Sequence, residues 1–126
     1  MELEQRISHQ RIQHIIDSYQ LAGEETAAFN RYLTTLLGHY PHGVIELALT
    51  ETIMKSWFTI PMVKGVLFLS KTHQTLEQWQ QETWQQDTYP LTLTPTQFSY
   101  ITGLDPQPAF IDLIAFADQS TQATAT

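Results

Sequence analysis

The sequence predicts a mainly α-helical, single-domain fold of five or six helices, with one long helix and a short extended segment before the last helices. Apolar residues recur along most of the chain at the three- and four-residue spacing of one helical face. Glycine and proline residues fall between these stripes, where they end one helix and begin the next. The chain has 126 residues, close to the commonest size of one domain. We therefore expect one helical domain over residues 1–118 and a disordered tail over residues 119–126.

The first two helices are each predicted from one apolar stripe. The stripe of the first helix, over residues 3–21, consists of Ile12, Ile15, Ile16 and Tyr19. Gly23 is the expected stop of this helix, and Glu24 and Glu25 suit the positive N-terminal end of the second. The stripe of the second helix consists of Phe29, Leu33, Leu36, Leu37 and Tyr40. Because the connections on either side are short, these helices should be neighbours that run roughly antiparallel.

The segment over residues 44–69 is apolar on nearly every side and is the predicted core. In its first half, Glu46, Thr50 and Glu51 form a narrow polar strip. A helix that is apolar almost all round is a buried helix. Pro61 divides the segment, because proline cannot donate a backbone hydrogen bond and disfavours helix at the preceding residue. The segment carries both acidic and basic residues, so it does not fit a membrane span of about 20 apolar residues.

A long helix is predicted to run from near Pro61 to about Gln86. At about 1.5 Å per residue it is longer than a compact domain of this size needs, so its far end should project or meet another chain. The large apolar residues of this end lie among glutamines, and aromatic residues are enriched at protein interfaces. We therefore predict a homodimer contact or a protein partner here; the alternative is that the tryptophans cover the extended segment over 88–94. The predicted interface residues are Leu76, Glu77, Trp79, Glu82 and Trp84.

The last third of the chain contains an extended segment and two helices. Residues 88–94 alternate apolar and other residues, which is the period of an extended segment with one face on the core. Thr94 and Gln97 form a capping-box pattern with a proline between them, and Gly103 is placed to end a two-turn helix. Asp105 starts the final helix. Its predicted apolar stripe consists of Phe110, Leu113, Ile114 and Ala117. The sequence after it is polar and has little to bury.

The distribution of charge favours a basic protein partner and argues against nucleic acid. The net charge is −7, and no Lys or Arg follows Lys71. Nucleic-acid binding draws much of its affinity from Lys and Arg at phosphates. Residues 93–116 resemble a helix-turn-helix, so a transcriptional regulator is a third functional class, but the second helix has no basic residue to meet DNA. The anionic half of the chain, from Thr72 onwards, is expected to face a basic protein surface.

A metal site is the leading alternative function. A helix beginning near Pro41 would place His42 and Glu46 one turn apart, with His39 in the preceding turn. Two imidazoles and a carboxylate could bind zinc or iron. Against this, the histidines can be ordinary loop and first-turn residues, and neither HExxH nor a paired ExxH motif is present. A small helical metalloprotein or enzyme that uses His39, His42 and Glu46 is therefore kept as the alternative.

The main functional prediction is reached by elimination. The sequence contains no nucleophile elbow, no phosphate-binding glycine loop and no dinucleotide fingerprint. Its N-terminal residues, MELEQRISHQ, lack the apolar stretch of a secretory signal. We predict a soluble, cytoplasmic, non-enzymatic protein–protein interaction module, an adaptor or regulatory subunit that self-associates, with no cofactor and no membrane contact.

Overall fold

The computed structural model describes residues 2–57, 63–81 and 93–125, and over these residues it contains six α-helices and no strand. This confirms the mainly α, single-domain prediction. None of the helices in these ranges is long and apolar enough to cross a membrane. The helices are α1 (Glu2–Tyr19), α2 (Thr26–Leu37), α3 (His42–Ser56), α4 (Gly65–Gln81), α5 (Pro95–Thr102) and α6 (Gln107–Ala125).

Helix α3 is the centre of the fold and contacts each of the other five helices. Of the residues predicted to be inaccessible in this segment, Ile45, Leu49, Ile53 and Leu69 are fully buried, but Val66 is only half-buried. The polar strip of α3 is buried as well: Glu46 and Glu51 are each almost inaccessible. The reason is that neighbouring helices cover α3 on every side. Its polar groups therefore need partners inside the protein.

The two predicted N-terminal stripes are confirmed. Helix α1 buries Ile12, Ile15 and Ile16, and α2 buries Phe29 and Leu33. Helix α1 packs on α3 and α5, whereas α2 packs mainly on α4. In the described part of the chain, helices α1 and α2 are not among the helix pairs that pack on each other, which corrects the expectation that they are antiparallel neighbours. The reason is that each buries its apolar stripe against other helices, α1 against α3 and α5 and α2 mainly against α4.

Helix α4 begins at Gly65, four residues after the predicted start at Pro61. Val63 and Lys64 are not helical, and Gly65 has a φ of 74°, a left-handed conformation that favours glycine. The amide of Gly65 donates to the carbonyl of Leu21 at 2.6 Å. This hydrogen bond joins the start of α4 to the turn that follows α1. The predicted corner at Pro61 and the continuation to Gln86 lie outside the described residues.

The predicted capping box of α5 is confirmed. The Gln97 amide donates to Thr94 Oγ1 at 3.1 Å, and the Thr94 amide donates to Gln97 Oε1 at 3.0 Å. Gly103 ends the helix with a φ of 73°. Of the predicted extended segment, only Leu93 and Thr94 are among the described residues, and neither is helical.

Helix α6 differs from its prediction in two ways. The structure continues it to Ala125, although a disordered tail is predicted from Gln119. No glycine or proline follows Pro108 to interrupt the helix, which is the physical reason for the continuation. In addition, Ile114 is exposed, and the buried face consists of Ala109, Leu113 and Phe116.

Candidate functional site

The structure does not bring the three predicted metal ligands together. His39 is exposed in the turn before α3. His42, the first residue of α3, is half-buried, and Glu46 is buried. Both carboxylate oxygens of Glu46 accept hydrogen bonds from Arg11, at 2.9 to 3.1 Å. Across the described parts of the chain, no three His, Cys, Asp or Glu residues are placed to hold a metal ion. Glu46 is therefore the partner of a guanidinium and not a free ligand.

The predicted interface residues are also placed differently from the expectation. Leu76 and Trp79 lie in the core, and Trp79 is only 1% exposed. Glu77 is exposed, and its Oε1 lies 3.1 Å from Nε2 of His73. Glu82 and Trp84 lie outside the residues that the structure describes. The interface was predicted because Leu76 and Trp79 were expected to be exposed. That expectation is wrong, because α2, α3 and α6 pack against α4.

A groove of about 450 Å³ lies between α1 and α6, over the N-terminal end of α3. Its aliphatic lining comes from Ile7 of α1 and from Pro108 and Ile111 of α6. Ile7 is 49% exposed and Ile111 is 56% exposed, although isoleucine is usually buried. Two helices therefore present large aliphatic side chains to the same concave surface.

The polar lining of this groove is an ion pair that joins α1 to α3. The Arg11 side chain is 14% exposed and that of Glu46 is 3% exposed. Arg11 Nη2 also donates to the carbonyl of Asp105 at 2.7 Å, just before α6 begins. Burial raises the pKa of the Glu46 carboxyl, the Arg11 guanidinium lowers it, and the Asp112 carboxylate raises it. One guanidinium thus holds together three segments that surround the groove.

Asp112 supplies the remaining charge of the groove. Its Oδ2 accepts a hydrogen bond from the amide of Gly43 at 2.9 Å, which satisfies one of the free amides at the start of α3. The positive charge of Arg11 is already matched by Glu46. The lining therefore has a net negative charge, and a cation brought into the groove would meet Asp112.

The close approach of α3 and α6 at Gly43 gives a testable prediction. A Cβ at this position would lie 2.6 Å from Cβ of Asp112 and 2.9 Å from Cα of Ala109. Because the backbone of α6 would have to move, we expect Gly43→Ala to lower the free energy of unfolding by about 1–3 kcal/mol in urea titrations. The matched control is Gly38→Ala, where the added Cβ meets an ordinary contact at 3.4 Å. Equal effects of the two substitutions would contradict the close packing.

Sequence reasoning missed the groove because its residues do not belong to any predicted stripe. Ile7 lies outside the buried stripe of α1, and Ile111 lies outside the predicted stripe of α6. The available signal was an isoleucine left over on each helix after the core face had been assigned. The pairing of Arg11 with Glu46 had no such signal, since the two residues are 35 positions apart in the sequence.

Comparison of the chain with protein-family models, with curated proteins and with solved structures gave no match. Function is therefore inferred from the geometry of the chain itself.

Proposed function

We propose that the protein is a non-enzymatic interaction module whose groove between α1 and α6 binds an amphipathic helix of another protein. The observation that carries this proposal is that Ile7 and Ile111, each about half exposed, line one groove from two different helices. Contiguous exposed apolar surface marks interaction sites, and a helix laid in an apolar groove is a recurring mode of recognition.

The size and lining of the groove support a helix anchor. Complete burial of a fully exposed aliphatic side chain contributes about 1.5–3 kcal/mol. Ile7 and Ile111 are each about half exposed, so covering both contributes about 1.5–3 kcal/mol of the roughly 8 kcal/mol of a micromolar affinity. Ile114 is 50% exposed and lies one turn beyond Ile111 on α6. It extends the apolar surface along the helix, as a bound partner helix would require.

The negative charge of the protein favours a partner helix that is basic. The chain has a net charge of −7, no Lys or Arg follows Lys71, and Asp112 lies in the groove lining. A partner helix that carries Lys or Arg beside its aliphatic anchors would be attracted to this surface and would pair with Asp112. A second copy would bring another strongly anionic chain to the groove, so we commit to a different, basic partner. Self-association at other surfaces stays a prediction.

A defined peptide tests the proposal. The probe is a synthetic helical peptide with leucines at positions i, i+3, i+4 and i+7 and with lysines flanking them. The control peptide has the same sequence with glutamates in place of the lysines. We expect the lysine peptide to bind more tightly. The variant Ile7→Ser/Ile111→Ser should weaken its binding at least about tenfold, measured by calorimetry, because the anchors lose apolar contact.

Two further variants provide the controls. Leu67→Ser removes an aliphatic side chain that is 58% exposed on α4, away from the groove, and should leave binding unchanged. Asp112→Asn keeps an oxygen that can accept from Gly43 but removes the charge, so it should reduce the preference for lysine over glutamate. Equal losses for the groove and Leu67 variants would contradict the proposal. So would a dimeric mass by light scattering that Ile111→Ser alone converts to a monomer, because a second copy would then occupy the groove.

A further inference from the structure

A second cleft, of about 310 Å³, lies between the C-terminal part of α3 and α4. Lys55 and Lys71 line it, and both are exposed, whereas the lining residues Thr52, Ser56 and Thr75 are buried. No acidic residue is among the described residues that line it. A chain with a net charge of −7 thus places two of its six Lys and Arg residues at one concave surface.

The hydroxyl groups in the cleft have a defined hydrogen-bonding role. Thr75 Oγ1 donates to the carbonyl of Lys71 at 3.1 Å, and Thr52 Oγ1 donates to the carbonyl of Ala48 at 2.7 Å. A hydroxyl has one proton, so both oxygens can offer only lone pairs to a ligand. Thr52 Oγ1 also lies 3.2 Å from Oγ1 of Thr72, which shares its single proton between Thr52 and the carbonyl of Phe68 at 3.0 Å. A neighbouring hydroxyl thus faces Thr52, and Thr75 is the more open acceptor. The threonine hydroxyls on the buried side of the cleft therefore suit a ligand that donates hydrogen bonds.

The two lysines on the exposed side of the cleft favour a ligand group that accepts hydrogen bonds and carries negative charge. Each ammonium group has three donors and no acceptor, and it pairs with phosphate as a point charge. Lys55 Nζ lies 3.6 Å from Oε2 of Glu51, a contact that can occupy one of its protons and leave the others. Lys71 is on α4, one turn before Thr75, so cation and acceptor border the same cleft.

We propose that this cleft binds a small polyhydroxylated molecule that carries a phosphate group, of the size of a sugar phosphate. The hydroxyls donate to Thr75 Oγ1 on the buried side, and the phosphate pairs with Lys55 and Lys71 on the exposed side. The volume is at the low end of small-molecule sites, which fits one sugar ring and excludes a macromolecule from the interior. This site is separate from the groove between α1 and α6 and does not depend on the function proposed for it.

The test uses amide chemical shifts of the full chain titrated with glucose 6-phosphate, with inorganic phosphate and with glucose. We expect glucose 6-phosphate to shift amides in the C-terminal half of α3 and around Thr75, at lower concentrations than either component alone. Lys71→Gln should weaken this binding about tenfold. Thr75→Val keeps the shape of the side chain but removes the acceptor, and should abolish the advantage of glucose 6-phosphate over phosphate.

Arg31→Gln is the matched control, since Arg31 is an exposed cation on α2, outside the cleft. It changes the net charge by the same amount as Lys71→Gln and should leave the affinity unchanged. Equal losses for the two variants would show a general charge effect and overturn the proposal. Equal affinity for phosphate and glucose 6-phosphate would overturn the polyhydroxylated ligand, and shifts outside α3 and α4 would overturn the location.

Discussion

Replacement of Arg11 by methionine should lower the free energy of unfolding near pH 7 by about 3–5 kcal/mol. Methionine fills a similar unbranched volume but leaves the Glu46 carboxylate, of which 3% is exposed, without its counter-ion. It also removes the hydrogen bond to the carbonyl of Asp105. A loss of this size is a large fraction of the stability of an ordinary domain. Urea titrations of wild type and variant provide the measurement.

The loss should depend on pH in a defined direction. Burial raises the pKa of Glu46 above its ordinary value of 4.5, and Arg11 opposes this effect. Without Arg11, burial and Asp112 both raise the pKa, so the folded variant binds its proton more tightly than the unfolded chain does. Such a group contributes stability that is fully present below its unfolded pKa and is lost as the pH rises through its folded pKa. The deficit of Arg11→Met should therefore be smallest below the unfolded-state pKa of a glutamate, about 4.3, and should grow as the pH rises to neutrality. The part that comes from the lost hydrogen bond to Asp105 should not depend on pH.

The double variant Arg11→Met/Glu46→Met is the control for this explanation. It removes the uncompensated charge, and replacement of a whole buried ion pair by apolar residues is often neutral. We expect it to recover most of the stability lost in Arg11→Met and to lose the pH dependence of the deficit. A single variant that is equally destabilised at low and high pH would show that Glu46 is not the source of the cost.

Much of the fold can be predicted from the sequence, because local signals determine where its helices lie. The stripe of Ile12, Ile15 and Ile16 and the capping box of Thr94 and Gln97 each depend on residues a few positions apart. The central position of α3 also follows from its own composition, which leaves no side polar enough for solvent. These signals need no knowledge of the neighbouring helices.

The candidate site could not be predicted in the same way, because it depends on contacts between distant segments. The sequence makes Glu46 a candidate metal ligand, and only the fold shows that Arg11 lies beside it. Helical periodicity places Ile111 on a face of α6 but does not say which face the core takes. The exposure expected for Trp79 is wrong for the same reason: its glutamine-rich neighbours indicate an exposed helix face, but the packing of α4 buries the side chain.

Truncation of Trp79 to alanine should have the other large effect, a loss of about 3–5 kcal/mol in the free energy of unfolding. The side chain is 1% exposed and is among the largest that the described part of the core contains. Removal of its ring system leaves a cavity that the surrounding core can close only in part. The measurement is urea unfolding. If Trp79→Ala does not fold, the milder variant Trp79→Phe should lower the free energy of unfolding by about 1–3 kcal/mol.

The exposed Trp57 provides the matched control and separates a core role from an interface role for Trp79. Trp57 follows α3 and is 46% exposed, so Trp57→Ala should change stability by no more than about 0.5 kcal/mol. Because a core residue acts within one chain, the loss in Trp79→Ala should not depend on protein concentration. If Trp79 instead anchored a homodimer, the loss would vary with concentration by mass action, and light scattering would show a wild-type dimer that the variant dissociates. That result would contradict the burial of Trp79 within a single chain and restore the interface predicted from the sequence.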